Sequence, residues 1–132
     1  MSVEGTAQAA MQILLASGEA RALVTKAMES LAGFDFEGAT AYLTKAQHTL
    51  RDAHRVHTDV IQAEARGEDV QVPALFSHAQ DTMMTTDSEL RTVRRLLPAF
   101  KAVVARLEIL EHGQAGPPGP QHRPDADEEA GA

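Results

Sequence analysis

The chain has 132 residues, no cysteine and a formal net charge of −7. That length suits one domain, and the absent thiols exclude a disulfide framework and a Cys-ligated zinc site. The acidic balance argues against nucleic acid, which needs a clustered basic surface.

Aromatic residues make up only 4% of the chain, while Ala, Leu, Met, Glu, Gln and Arg are abundant, a mixture that favours helix over strand. The first helix is predicted over residues 3–32. Val3, Ala7, Ala10, Leu14, Ser17, Ala20, Val24, Ala27 and Leu31 follow at steps of three or four, the helical period. Gly33 is placed to end it, as glycine does just past a helix C-terminus. The second helix is predicted over 35–66, with Asp35 as N-cap. Its stripe is Phe36, Ala39, Leu43, Ala46, Leu50, Ala53, His57 and Val60, and Gly67 closes it.

The linker from Gly67 to Val72 is short, so the second and third helices should be antiparallel neighbours. The third helix is predicted over 73–111, opening at Pro73, a residue suited to a first helical position because no N–H partner is needed there. Its stripe is Leu75, Ala79, Met83, Thr86, Leu90, Val93, Leu97, Phe100, Val104 and Leu107. Pro98 removes one backbone hydrogen bond and should bend the helix near Arg94. Residues 113–132, rich in Gly, Pro and acidic side chains, cannot bury an apolar face and read as a disordered tail.

The expected fold is therefore all-α, a three-helix up-down-up antiparallel bundle occupying residues 1–112. Leu15, Leu23, Met28 and Met84 lie off the main stripes and suggest oligomerisation. No stretch approaches the roughly 18 consecutive apolar residues of a membrane span. The start MSVEGTAQAA also lacks the basic region of a signal peptide. A soluble, cytoplasmic protein with no direct membrane insertion is expected.

The stretch Ser77-His78-Ala79-Gln80-Asp81-Thr82 carries the most promising chemistry. His78 and Asp81 are three apart, so a helix puts them on one face. A neutral imidazole early in a helix can act as a nucleophile, and the positive helix end favours a bound anion. Ser77, Gln80, Thr82 and Thr85 are nearby hydrogen-bond donors for such an anion. Spacing alone leaves open a phosphocarrier, a helical adaptor or a small metal-binding protein with His78 and Asp81 as ligands.

The stretch His78-Ala79-Gln80-Asp81-Thr82-Met83-Met84-Thr85 resembles the H-[AG]-Q-D-H-L-M-T signature of the IIA proteins of the lactose, cellobiose and N,N′-diacetylchitobiose phosphotransferase systems. Gly18-Glu19-Ala20-Arg21 is similar to that family's G-[DE]-A-R, and Gly33-Phe34-Asp35-Phe36 sits at its G-D-F turn. Ala53-His54-Arg55-Val56-His57-Thr58 resembles A-H-x-x-Q-T, and Glu64-Ala65-Arg66-Gly67-Glu68 resembles E-A-x-G-E. These matches keep their order over about residues 5–110.

The resemblance implies a homotrimer of three-helix protomers. It implies that His78 accepts a phosphoryl group from the small phosphocarrier HPr and passes it to a cysteine of the cognate IIB component, while the IIC permease imports a β-linked disaccharide. It implies that Asp81 binds a divalent metal, Mg2+, on the trimer axis, with Gln80 and Thr82 in the phosphate shell. Two departures stand out. Thr82 replaces a family histidine and carries no positive charge, and His57 replaces a family glutamine on the second stripe. A regulatory or adaptor bundle of the same fold, with reduced or lost transfer, is the alternative.

Overall fold

The computed structural model describes residues 1–113 and Gly119, and among them there are three helices and no strand. Helix α1 spans Val3–Ala32, α2 spans Phe36–Ala65 and α3 spans Ala74–Gly113. Gly113 is thus the last residue of α3 and not the first of a tail. The remainder of the expected tail lies outside the described residues.

Side-chain oxygens start the first two helices. Ser2 Oγ accepts from the Gly5 N–H at 3.1 Å and Asp35 Oδ1 from the Gly38 N–H at 2.9 Å, each satisfying one orphan donor. The same C-terminal motif ends both. The Asp35 N–H reaches the Ser30 carbonyl and the Phe34 N–H the Leu31 carbonyl; likewise Glu68 reaches Ala63 and Gly67 reaches Glu64. This pattern needs one residue in the left-handed region. Gly67 supplies it at φ 82°, but in the first turn it is Phe34 at φ 59°, while Gly33 sits at φ −92°. The expectation that Gly33 takes the special conformation is therefore off by one residue.

Cross-helix pairs give the register. His57 meets Gln80, His54 meets Asp87 and Gln47 meets Arg94, so α2 positions fall as α3 positions rise and the two are antiparallel. Arg21 of α1 pairs with Glu89 of α3 at 3.5 Å. At the other end the Gln71 N–H donates to the Met1 carbonyl and Thr6 Oγ1 to the Gln71 carbonyl at 2.6 Å. The starts of α1 and α3 therefore lie together, and the topology is up-down-up.

The core alternates small and large side chains. On α2 the buried set is Ala39, Leu43, Ala46, Leu50, Ala53, Val60 and Ala63, with Phe36 and His57 half-buried, close to the predicted stripe. Each fully buried large apolar side chain contributes about 1.5–3 kcal/mol relative to exposure. α1 differs from expectation. Thr6, Ala9, Ile13 and Leu23 are buried, whereas Val3 is exposed and Ala7 and Leu14 are only half-buried. The reason is that α1 packs on both other helices, more extensively than they pack on each other. Its buried arc spans two adjacent positions per turn, such as Ala9 with Ala10 and Leu23 with Val24. Leu23, expected off the stripe, is only 6% exposed; Leu15, Met28 and Met84 are exposed.

On α3 the core residues are Phe76, Ala79, Met83, Thr86, Leu90 and Val93. Phe76 takes the place expected for Leu75, which is exposed, and Phe100 and Leu107 are exposed as well. Pro98 lies inside a helix that continues past it. Lys101 Nζ sits 5.8 Å above the Phe36 ring, level with the beginning of α2. Val104 is still half-buried, but Leu107, Ile109 and Leu110 are exposed, so the last two turns of α3 extend past the α1–α2 turn, where no described helix covers the predicted stripe.

Candidate functional site

The site is built from the first turns of α3. The Pro73 carbonyl accepts from the Phe76 and Ser77 N–H groups, so Pro73 immediately precedes the helix it helps to start. His78 follows in the second turn, and its side chain is exposed. Asp81, one turn later on the same side, is also exposed and forms no ion pair among the described residues.

Three threonines line this turn with hydroxyls directed back along the helix. Thr82 Oγ1 donates to the His78 carbonyl at 2.9 Å, Thr85 Oγ1 to the Asp81 carbonyl at 2.7 Å and Thr86 Oγ1 to the Thr82 carbonyl at 2.8 Å. This back-bonding is the usual satisfaction of a hydroxyl inside a helix. Thr82 thus lies beside His78 with its donor engaged.

Gln80 is turned away. Two residues along a helix place it about 200° around the axis from His78, and its Nε2 lies 2.9 Å from His57 Nε2 of α2. The structure thus brings His78, Asp81 and Thr82 to one side, while Gln80 joins a different group. With the Gln80 amide donating, His57 Nε2 is unprotonated and its proton resides on Nδ1. His57 also stacks on the Phe76 ring, centroids 6.0 Å apart and planes within 7°. Burial, and secondarily the neighbouring His54, hold the His57 pKa below its ordinary value of 6.5; both disfavour the imidazolium.

A cavity of about 360 Å³ opens between α2 and α3, lined by His54, His57, Met83, Met84, Asp87 and Arg91 among others. Asp87 is its polar hub, 3.8 Å from His54 Nε2 and 3.0 Å from Arg91 Nε. Sequence reading did not single out Asp87 or Arg91. Their i, i+4 spacing signals an intrahelical pair, but their meeting with His54 depends on helix register.

Among the described residues no three His, Cys, Asp or Glu side chains come together as a metal-binding group. Within one protomer Asp81 offers a single hard oxygen donor. A divalent cation there would need further oxygen ligands.

The family model for the PTS system lactose/cellobiose-specific IIA subunit matches residues 8–101, a segment containing all of these side chains. The chain belongs to that family. Among curated relatives, the lactose-specific EIIA component of Lacticaseibacillus casei is 32% identical over 98 residues, covering 74% of this chain and 84% of that protein. The oligo-β-mannoside-specific EIIA component of Bacillus subtilis (strain 168) is 33% identical over 94 residues, covering 71% and 86%. Among solved structures, PtcA from S. mutans superposes with a TM-score of 0.75 at 32% identity, covering 76% of this chain and 99% of that one. The cellobiose-specific enzyme IIA of Bacillus anthracis gives 0.72 at 28% identity, covering 80% and 94%.

This IIA protein is accordingly a sugar-specific component of a phosphotransferase system, with a transferase role. No described helix is long and apolar enough to cross a membrane.

Proposed function

We propose that His78 is the phosphoryl acceptor of this IIA protein. The observation that carries the reading is positional. His78 is exposed in the second turn of α3, beside Asp81, inside the segment that matches the family. An unprotonated imidazole nitrogen of His78 attacks the phosphorus held on the histidine of HPr. The new N–P bond forms as the old one breaks. A thiolate of the cognate IIB component then attacks the same phosphorus, forming an S–P bond and releasing the imidazole. The protein acts in the cytoplasm, and the IIC permease couples the transfer to uptake of a β-linked disaccharide of the lactose, cellobiose or chitobiose type.

Incubation with enzyme I, HPr and phosphoenolpyruvate should place one acid-labile phosphate on each chain of the wild type and none on His78→Ala. Absence of label on the wild type with a competent partner set would sink the proposal.

We also propose that the protein assembles as a homotrimer in which three copies of Asp81 gather on the axis around Mg2+. Three carboxylates brought together repel one another and favour protonation, and a hard cation with oxygen ligands relieves the repulsion. The cation has a structural role and takes no part in the transfer. Asp81→Leu should remain a trimer by light scattering and lose bound Mg2+; dissociation to monomers would contradict the axial picture.

One set of contacts favours a second reading, an adaptor of the same fold with weakened transfer. The two expected phosphate donors are otherwise engaged, Thr82 with the His78 carbonyl and Gln80 with His57. That reading predicts a trimer that binds its partners and labels slowly.

A further inference from the structure

The cavity between α2 and α3 has a basic, polar wall and an apolar one. Ser88, Arg91, Thr92 and Arg95 line it from α3, and Met83, Met84 and the His57 ring face the same space. None of these side chains takes part in the transfer proposed at His78.

The charges of this lining are unbalanced. Arg91 and Arg95 are four residues apart, so α3 holds their guanidinium groups on one side, about one turn from each other. The only carboxylate of the lining, Asp87, is taken by Arg91 at 3.0 Å, with His54 at 3.8 Å. Arg95 forms no ion pair among the described residues. Thr92 commits its hydroxyl proton to the Ser88 carbonyl at 2.8 Å, whereas the Ser88 hydroxyl donates to no group among the described residues.

We propose that this cavity binds a small phosphate monoester. Guanidinium forks match the oxygens of a phosphate, and two of them with an uncommitted hydroxyl can hold a dianion from several sides. At about 360 Å³ the cavity has room for more than the phosphate group and lies at the small end of the range for ligand pockets, about 300–1,000 Å³. Met83, Met84 and the His57 ring supply the apolar wall against which the organic body of the ester rests.

The proposed trimer sharpens the demand for an anion. Ser88 and Arg95 stand seven and fourteen residues past Asp81, close to two and four turns, hence on the side of α3 that carries Asp81. Three copies gathered around Asp81 turn their cavities towards the same axis, each with two arginines to one Asp87. Gathered cations repel one another unless an anion lies between them. That step rests on the trimer, whereas the composition of the cavity does not.

Calorimetric titration of the full chain with glucose 6-phosphate, and in parallel with glucose and inorganic phosphate, tests the site. Light scattering on the same sample reports assembly. Glucose 6-phosphate should bind more tightly than inorganic phosphate, and glucose should not bind. Arg95→Gln should weaken binding of the ester about five- to tenfold. Arg94→Gln removes the same charge one position away, where the guanidinium bonds Gln47 and stays out of the lining, and should leave affinity within about twofold of wild type. No binding of the ester up to about 10 mM, equal losses in the two variants, or equal affinity for the ester and inorganic phosphate overturns the proposal. A trimeric chain that does not bind overturns the site and leaves the trimer. A monomeric chain that binds overturns the trimer and leaves the site. The titration uses neither enzyme I nor HPr, so failure to label His78 does not affect it.

Discussion

Thr6 fastens the linker that leads into α3, and Thr6→Val tests how much that fastening contributes. The side chain is fully buried, and its single hydroxyl proton has three acceptors in reach. They are the carbonyls of Gln71 at 2.6 Å, Val3 at 3.0 Å and Ser2 at 3.2 Å. The shortest marks the bond that matters, and it spans 65 residues of sequence. Valine keeps the shape and leaves no cavity, so the loss is the hydrogen bond and the pairing of one carbonyl. A net hydrogen bond contributes about 0.5–1.5 kcal/mol, and an unpaired buried acceptor costs up to about 3 kcal/mol. Gln71 itself is exposed, so water can partly replace the donor and the upper figure is discounted. The expected loss is about 1–2 kcal/mol, or a drop in Tm of about 4–12 °C for a domain of this size. Urea and thermal melts followed by far-UV circular dichroism measure it, with hydrogen exchange reporting on the Gln71 and Phe76 amides. Stability within about 0.3 kcal/mol of wild type, with unchanged linker protection, would refute the reasoning.

The two helix ends give a matched pair of changes. Phe34→Gly should stabilise by about 0.5–1 kcal/mol, since Phe34 holds a left-handed conformation while its ring is exposed. Gly67→Ala should cost about 1 kcal/mol from backbone conformation alone, because an added Cβ meets nothing within 4 Å. Denaturant midpoints measure both, and shifts of the opposite sign would contradict the turn assignment. His57 supplies a pH dependence. Its folded pKa lies below 6.5, so the unfolded chain binds the proton more readily. Stability is full above about pH 6.5 and declines as pH falls towards the lowered folded value. His57→Gln should flatten that part of the stability profile, and an unchanged slope would count against the pair with Gln80.

Much of the fold was legible because α2 has one principal partner. A single buried face yields a clean row, and Ala39, Leu43, Ala46, Leu50 and Ala53 are all in the core. α1 was harder, since a helix packed on two sides buries a broad arc, and a one-row reading must choose between Ala9 and Ala10 or Leu23 and Val24. The exposure of Phe100 and Leu107 was hidden for another reason. Periodicity shows which side of a helix is apolar, not whether a neighbour extends far enough to cover it.

The side shared by His78 and Asp81 followed from spacing alone, whereas the reaction came only through resemblance to relatives. Gln80 shows the limit. Its nearness to His78 in sequence suggested a phosphate donor, but 200° of helix and the register of α2 gave it His57 as partner.

The dominance of α1 also bears on how the chain reaches this structure. α1 packs most extensively on α2, and the two are separated only by residues 33–35. Their contacts are local, the kind that closes fast. The linker into α3 meets α1 at a separation of 65 residues, between Thr6 and Gln71, and α3 touches α2 least, so α3 is expected to dock after the α1–α2 hairpin. By the same logic α3 should be first to detach in native-state opening, with amide protection below that of α1 and α2. In an isolated protomer the helix carrying His78 is then the one most easily lifted.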